Sequence, residues 1–186
     1  ELINSGFIYE NQEISKFSSE GAKFDFFDFK IADSLSVLIE NDILDHWNNQ
    51  SEIIRNDFYD WCRFNPWVED YAVFMVLKKE FDNKAWWEWP EVFRLKEEKS
   101  VGNFINSRVK EVLAKKLFQW HLNRQWINIK RYASENDVKL VGDLPFYVSK
   151  DSVDVWSNKS LFSVSKEGNL IFQSGVPPDY FSSTGQ

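Results

Sequence analysis

Apolar side chains recur at helical spacing through most of the first 134 residues, and this periodicity constrains the fold more than any other feature. In the segment 24–47, Lys30, Asp33 and Glu40 lie off the apolar stripe, which predicts an amphipathic helix. The stripe itself consists of Phe27, Ile31, Leu35, Leu38, Ile39 and Ile43. The periodicity therefore predicts a mainly helical fold for this part of the chain.

Capping residues and prolines divide this helical region. Ser51 supplies a partial N-cap for the stretch SEIIRNDFYDWCRF, and Asn65 followed by Pro66 ends that helix and opens the next. A later segment, from Asn103 to Ser134, again has helical spacing. Because this segment is long, we expect it to be bent or interrupted.

Charge and hydropathy exclude several classes of partner. The net charge of -7 and the lack of a basic run argue against nucleic acid. No apolar run approaches the roughly twenty residues that a membrane span needs, and the first residues do not resemble a signal peptide. The single cysteine, Cys62, suits a reducing compartment and is interpreted as a small buried apolar residue. These features predict a cytoplasmic protein that binds neither nucleic acid nor a membrane.

Aromatic residues make up 17% of the chain, including nine tryptophans. Aromatic side chains contribute much of a hydrophobic core, and they also form flat platforms on which sugar rings stack. We prefer the interpretation as core wherever position gives no other indication.

After residue 134 the pattern changes from helical to extended. The stretch VKLVGDLPFYV predicts a short strand that ends near Asp143, at the position where parallel barrels place functional groups. The alternative for Asp143 is a loop residue that bonds its own backbone or caps the next segment. Further on, Ser149 or Asp151 could cap a short turn, and a hairpin is predicted around 167–169.

Several ordered segments of the chain resemble the amylomaltases, the 4-α-glucanotransferases also called disproportionating enzymes. They include GDLP, DSVDVW and the final GVPPDYF, and the helical stretches WVEDYAVFMVLKKEFDNKAWWEWP and FQWHLNRQWINIKRYA also look like this family. Small departures occur at Phe146-Tyr147 and at 172–174, in positions expected to be packing sites.

The resemblance implies a fold and a division of the chain. It implies a (β/α)8 barrel with inserted subdomains, so the fold class is predominantly α with a small β portion. Residues 1–135 would be a helical subdomain, and residues 136–186 would supply one barrel strand, the hairpin and a loop that gates the substrate. We expect the chain to be an internal piece of a longer enzyme, with the rest of the barrel outside it.

The resemblance also implies an activity and site residues. The family performs retaining transfer between α-1,4-glucans such as maltose, maltotriose and maltodextrins, without a cofactor or metal. By carry-over, Tyr180 and Phe181 would form the sugar-contacting tip of the loop, or, in the alternative, anchor the loop on its own barrel. Asp179 would orient the loop or contact sugar, Gln186 would lie near the acceptor, and Asp143 would lie beside the sugar at the cleavage point.

The segments that supply the family's catalytic carboxylates do not occur in this chain, which predicts that the chain alone is inactive. Two other classes stay open from the residues alone. An aromatic-rich carbohydrate-binding module would respond to glucan through its tryptophan fluorescence, whereas a helical interaction domain would not. Such modules are usually β-sandwiches, which the helical periodicity disfavours.

Overall fold

The structure is a computed structural model that describes Ile8 and residues 29–144, 147–172 and 175–185. Its α-helices are α1 (Phe29–Trp47), α2 (Glu52–Phe64), α3 (Trp67–Glu80), α4 (Glu91–Arg94), α5 (Glu98–Ser107), α6 (Val109–Glu135) and α7 (Val153–Ser157), with 3-10 turns at Trp86–Glu88 and Lys159–Leu161. Within the described ranges no β-strand forms. The prediction of a predominantly helical chain is confirmed.

Local sequence signals account for the helix boundaries. The Ser51 side chain accepts a hydrogen bond from the Ile54 amide, so this residue caps α2, and α2 gives way to α3 at Asn65-Pro66. The predicted long helix is interrupted at Arg108, which separates α5 from α6. These three predictions are confirmed. The predicted start of α1 at Phe24 lies outside the described residues.

The described residues fall into two compact units. The first comprises those within Glu1–Val76 together with Arg108–Asp143, and the second comprises Leu77–Ser107 with those in Leu144–Gln186. Residues within each unit contact one another more than they contact residues of the other unit. The functional division into 1–135 and 136–186 concerns membership of a barrel, and it stays a prediction.

The core of the first unit is aromatic. Trp47 of α1, Phe58 of α2 and Trp120 of α6 are buried and meet edge to face, with the Trp47 and Phe58 ring centroids 5.0 Å apart and the Phe58 and Trp120 centroids 5.6 Å apart. Each such pair adds about 1 kcal/mol to the stabilisation from burial alone. The aromatic excess therefore serves the core here. Half-buried Cys62 packs against this cluster, and burial raises the pKa of its thiol.

The predicted polar face of α1 is wrong at one position. Glu40 was expected off the apolar stripe, yet its side chain is buried and accepts a hydrogen bond from Lys115 Nζ at 2.7 Å. A carboxylate can occupy such a site because a cation from α6 offsets its lost hydration. The partner lies 75 residues away along the chain, so helical periodicity could not reveal it.

The second unit is organised around three buried tryptophans. Trp86 Nε1 donates to the Lys150 carbonyl at 2.7 Å, and Trp156 Nε1 donates to the Phe93 carbonyl at 2.8 Å. The third, Trp89, meets Trp156 edge to face. Both hydrogen bonds satisfy the polar edge of a buried indole and join segments that are more than 60 residues apart in sequence.

Capping of α7 differs from the expectation in detail. Ser152 is the N-cap, and its side chain accepts a hydrogen bond from the Val155 amide. The expected caps were Ser149 and Asp151. The Asp151 carboxylate instead binds Lys78 Nζ at 2.7 Å and the Trp86 amide at 3.3 Å, so its role is tertiary.

The predicted strand that ends near Asp143 does not form in the described residues. Residues 138–144 have no regular secondary structure and are exposed, and the Val141 side chain is 94% accessible. A strand is defined by hydrogen bonds to a neighbouring strand, and these residues have no such partner in the described ranges. Among the residues that the structure describes, the small β portion is thus limited to one antiparallel bridge between Val164 and Leu170.

That bridge confirms the predicted hairpin around 167–169 in a minimal form. The Ser165 amide donates to the Asn169 carbonyl at 2.7 Å, and the Gly168 amide donates to the Ser165 carbonyl at 3.0 Å. Gly168 has a φ of +87°, and an added Cβ would lie 2.5 Å from the Cβ of Trp87. Glycine is required here both by the backbone conformation and by the close approach to that side chain.

Candidate functional site

The final loop, residues 175–185, contains three of the predicted site residues. One Asp179 carboxylate oxygen accepts the backbone amides of Phe181 at 2.9 Å and of Ser182 at 2.8 Å, and the Asp179 amide donates to the Ser182 carbonyl at 2.9 Å. The carboxylate thereby fixes the backbone on both sides of Tyr180. Asp179 therefore stabilises the backbone conformation of the loop.

The two ends of the loop are in contact at a glycine. Gly185 has a φ of +80°, and a Cβ added there would lie 2.2 Å from the Val176 carbonyl oxygen. The Ser182 hydroxyl also donates to the Gly185 carbonyl at 2.6 Å. Together with the fixed φ angles of Pro177 and Pro178, these contacts hold the loop in a compact form.

The aromatic tip of this loop projects into solvent. Tyr180 is 97% exposed and Phe181 is 88% exposed, and their rings meet edge to face with centroids 5.6 Å apart. Trp86 and Trp156 of the same unit are fully buried. Two adjacent aromatic rings that stay exposed on a braced loop do not contribute the free energy of burial. An exposed aromatic surface of this kind is typical of a ligand-binding site.

The predicted site residues differ in how the structure places them. Asp179, Tyr180 and Phe181 stand side by side in the loop. Asp143 belongs to the first compact unit, where it is exposed near the end of the irregular segment 138–144. Gln186 lies outside the described residues.

Sequence reasoning missed Ser182 and Gly185 as structural parts of the loop. The tail SSTG indicated only a loop, since a closing contact between Gly185 and Val176 depends on the whole turn geometry. The glycine itself is the one signal that the sequence offered, because glycine adopts a positive φ more readily than other residues.

The lysines that stand over tryptophan rings were missed as well. Lys150 Nζ lies 3.8 Å from the ring centroid of half-buried Trp87, and Lys159 Nζ lies 4.9 Å from that of Trp86. These residues are separated by more than 60 positions in the chain, so no local pattern indicates them. Cation–π contacts of this kind stabilise by about 1 kcal/mol.

No three His, Cys, Asp or Glu side chains in the described residues are arranged to hold a metal ion. The exposed Glu167 carboxylate has a lowered pKa, mainly because the Ser165 side chain hydrogen-bonds to it. No described helix combines the length and apolar character that crossing a membrane requires.

Comparison with known proteins extends these observations. A family model described as 4-alpha-glucanotransferase matches residues 7–186. A 4-alpha-glucanotransferase of Aquifex aeolicus is 38% identical over 147 residues, which are 74% of this chain and 30% of that protein. A chloroplastic/amyloplastic 4-alpha-glucanotransferase of Oryza sativa subsp. japonica is 31% identical over 190 residues, covering 100% of this chain and 31% of the relative.

A solved structure agrees with the sequence comparisons. The amylomaltase from Streptococcus agalactiae, in complex with acarbose, superimposes with a TM-score of 0.76 at 26% identity, over 93% of this chain and 38% of the other. The chain thus spans about 30% of the length of the curated relatives described above. The match over nearly all of its residues shows that this chain belongs to the 4-alpha-glucanotransferase family.

Proposed function

We propose that a full-length protein containing this chain is a 4-α-glucanotransferase, which moves α-1,4-glucan segments between maltodextrins. Maltose, maltotriose and longer maltodextrins, from starch or glycogen breakdown, are its proposed substrates. Family membership supports the class of reaction. The observation that carries the proposal is the braced loop 175–185, which presents exposed Tyr180 and Phe181.

The proposed chemistry is a retaining double displacement. One carboxylate attacks the anomeric carbon while a second protonates the leaving oxygen, and the 4-hydroxyl of another glucan then opens the covalent glucosyl enzyme. We assign neither role to a residue of this chain. The proposed barrel would bring these two carboxylates from outside the 186 residues, with residues 136–186 contributing a strand and the loop, and residues 1–135 forming the inserted helical subdomain.

Within this scheme the loop gates the glucan chain. Tyr180 and Phe181 would stack against sugar rings, which present flat faces of C–H groups to an aromatic surface. Pro177 and Pro178 reduce the freedom that the loop loses on folding, so the tip is presented at a small entropic cost. Closure over the cleft would exclude water, and the acceptor sugar would then react in preference to water.

The remaining predicted residues have supporting roles in the proposal. Asp143 would contact the sugar at the cleavage point, and Gln186 would hydrogen-bond near the acceptor. Asp179 would act through its backbone contacts at 2.8–2.9 Å, which orient the tip. We propose that the enzyme is cytoplasmic, and the single cysteine suits such a reducing compartment. The plastid named for the rice relative is the alternative location.

The decisive experiment removes the aromatic tip from the full-length protein. A Tyr180→Ala, Phe181→Ala double variant is compared with Phe172→Ala, which removes a ring that is 77% exposed in the same unit but outside the loop. With maltotriose as substrate, glucose and longer maltodextrins report transfer, and new reducing ends report hydrolysis.

We expect the double variant to bind acarbose and maltotriose at least tenfold more weakly, since two stacking contacts of about 1 kcal/mol each are lost. Its ratio of hydrolysis to transfer should rise, whereas Phe172→Ala should behave as wild type. Unchanged affinity together with an unchanged ratio in the double variant would refute the gating role. Absence of any transfer by the full-length wild-type protein would refute the proposed activity itself.

A further inference from the structure

The amide, carbonyl and hydroxyl of Ser182 all form hydrogen bonds inside the final loop. The amide donates to the Asp179 carboxylate at 2.8 Å, and the hydroxyl donates to the Gly185 carbonyl at 2.6 Å. The Ser182 carbonyl accepts the Asp179 amide at 2.9 Å and the Gly185 amide at 3.2 Å. Ser182 therefore connects the residue that precedes the aromatic tip to the residue that closes the loop.

The hydroxyl of Ser182 is connected to the entry of the loop through Gly185. A Cβ added at Gly185 would lie 2.2 Å from the Val176 carbonyl oxygen and 3.3 Å from the Pro178 nitrogen. Gly185 thus lies directly against the backbone of residues 176–178, where two prolines have fixed φ angles. The Ser182 hydroxyl therefore holds the aromatic tip against the stiffest part of the loop.

Tyr180 and Phe181 form the tip, and they lie between the two hydrogen-bonded residues Asp179 and Ser182. The Phe181 amide shares one Asp179 carboxylate oxygen with the Ser182 amide, at 2.9 and 2.8 Å. Both rings nevertheless stay exposed. Hydrogen bonds at a protein surface add little stability, because water competes for the same groups. The main effect of these bonds is therefore on the direction in which the two rings project.

A fixed tip has a consequence for affinity. A flexible loop loses conformational freedom when it binds a ligand, and this loss reduces the affinity. A loop that is already held in its binding conformation loses less freedom, so the same contacts give tighter binding. The hydrogen bonds of Ser182 therefore favour stacking of a sugar on rings that are in place before it arrives.

We propose that Ser182 is a positioning residue for glucan transfer, which holds Tyr180 and Phe181 in the orientation that stacks on the glucan. Ser182 acts through these two rings and makes no contact of its own with the reacting atoms. This inference rests on the proposed function of the loop. It assigns the orientation of the tip to a serine hydroxyl that lies outside the aromatic residues themselves.

The adjacent residue, Ser183, provides a matched control. It has the same side chain but is exposed, whereas Ser182 is half-buried. Among the residues that the structure describes, the Ser183 hydroxyl has no hydrogen-bond partner. Ser182→Ala and Ser183→Ala therefore remove the same atom from neighbouring positions, and only the first substitution breaks a hydrogen bond of the loop.

The first experiment uses the 186-residue chain without glucan and measures amide exchange by NMR. Loss of one hydrogen bond should accelerate exchange of the Phe181 and Gly185 amides about fivefold in Ser182→Ala. Ser183→Ala should leave both rates unchanged. Ser182→Thr keeps the hydroxyl, so its rates should lie closer to wild type than to Ser182→Ala. The midpoint of urea unfolding should be the same in all four proteins, because the change is confined to the loop.

The second experiment uses the full-length protein with maltotriose. We expect Ser182→Ala to raise KM about fivefold and to change kcat for maltotriose consumption by less than about twofold, because it weakens binding without removing a reacting group. Its ratio of hydrolysis to transfer should rise at least about twofold, since a misplaced tip excludes water less well. Ser183→Ala should match wild type, and Ser182→Thr should recover most of the loss.

Removal of the tip tests the route by which Ser182 acts. In the Tyr180→Ala, Phe181→Ala background, Ser182→Ala should change neither KM nor the ratio of hydrolysis to transfer any further. The rings that Ser182 positions are absent there, so its effect and theirs should not add. A purely structural role of Ser182 in the folded loop would give an effect in both backgrounds.

The outcomes separate this inference from the proposed function. If the tip double variant itself behaves as wild type, the gating function is wrong and the role of Ser182 is wrong with it. If the tip variant weakens binding but Ser182→Ala matches Ser183→Ala, only the role of Ser182 is wrong. An equal effect of Ser182→Ala with and without the tip would also overturn the proposal. Should Ser182→Ala fail to fold, Ser182→Cys gives the same comparison, because a thiol is a weaker donor than a hydroxyl.

Discussion

Gly185 and Val176 close the final loop, because a Cβ on Gly185 would lie 2.2 Å from the Val176 carbonyl oxygen. A Gly185→Ala substitution combines this clash with a φ of +80° that alanine disfavours. We expect the hydrogen bonds of Asp179 to the Phe181 and Ser182 amides to open, and amide exchange at these two positions to accelerate at least tenfold. The free energy of unfolding of the chain should change by less than about 1 kcal/mol.

The matched control for that variant is Gly102→Ala. Gly102 lies inside α5 with no atom within 4 Å of an added Cβ. This substitution should raise the free energy of unfolding by up to about 1 kcal/mol and leave loop exchange unchanged. Equal exchange rates for Gly185→Ala and wild type, measured by NMR, would contradict the closure described for the loop.

Two ion pairs that α6 makes with other helices should differ strongly in their importance. Lys115 binds buried Glu40, whereas Lys116 binds Glu69, whose side chain is 46% exposed. Lys115→Met should lower the free energy of unfolding by about 3 kcal/mol, since it leaves a buried carboxylate unpaired. Lys116→Met should cost less than about 1 kcal/mol. Urea unfolding at pH 7 measures both.

A double variant separates pairing from other effects of Lys115→Met. Adding Glu40→Gln removes the buried charge, so it should recover at least half of the lost stability. If Lys115→Met and Lys116→Met have equal costs, the buried pair has no special role in this helix packing.

His121 predicts an acid-sensitive stability. Burial first, and Arg124 second, lower the pKa of its ring from 6.5 to about 3. The folded state thus disfavours the protonated ring, so stability is fully present above pH 6.5 and is lost as the pH falls toward 3. Between pH 7 and pH 5 this residue should account for about 2 kcal/mol of lost stability.

His121→Phe provides the test because it keeps an aromatic ring against Trp120, whose centroid lies 4.8 Å away. The variant should lose about 2 kcal/mol less than wild type between pH 7 and pH 5 in urea unfolding. The same pH dependence in both proteins would show that His121 is protonated in the folded state.

The isolated 186-residue chain should leave maltotriose unchanged. Retaining transfer requires two carboxylates about 5 Å apart across the scissile bond. In the proposed scheme Asp143 and Asp179 have binding and loop roles, so the chain lacks that pair. Glucose release, measured by a coupled enzymatic assay, should match the blank, and a full-length family member serves as the positive control. Sustained glucose release by the pure chain would contradict this assignment.

The sequence by itself predicted the helical character of residues up to 134 and some of the helix boundaries. Ser51, Asn65-Pro66 and the apolar stripes act within one or two helical turns, so their effects are local and can be read in order along the chain. It also predicted that two prolines stiffen the entry of a loop with an aromatic tip near residues 175–186, because proline fixes its own backbone angle. Family membership followed from the order of short motifs.

The tertiary structure alone decided which polar residues are buried and which segments are paired. Glu40 can be buried because Lys115 of another helix pairs with it. Lys159 lies over the ring of Trp86, which is more than 70 positions earlier in the chain. Residues 138–144 have the composition of a strand but form none, because β structure requires a partner strand and composition does not supply one. Local signals act through the chain's own backbone, whereas burial, charge pairing and strand pairing depend on residues brought close only by folding.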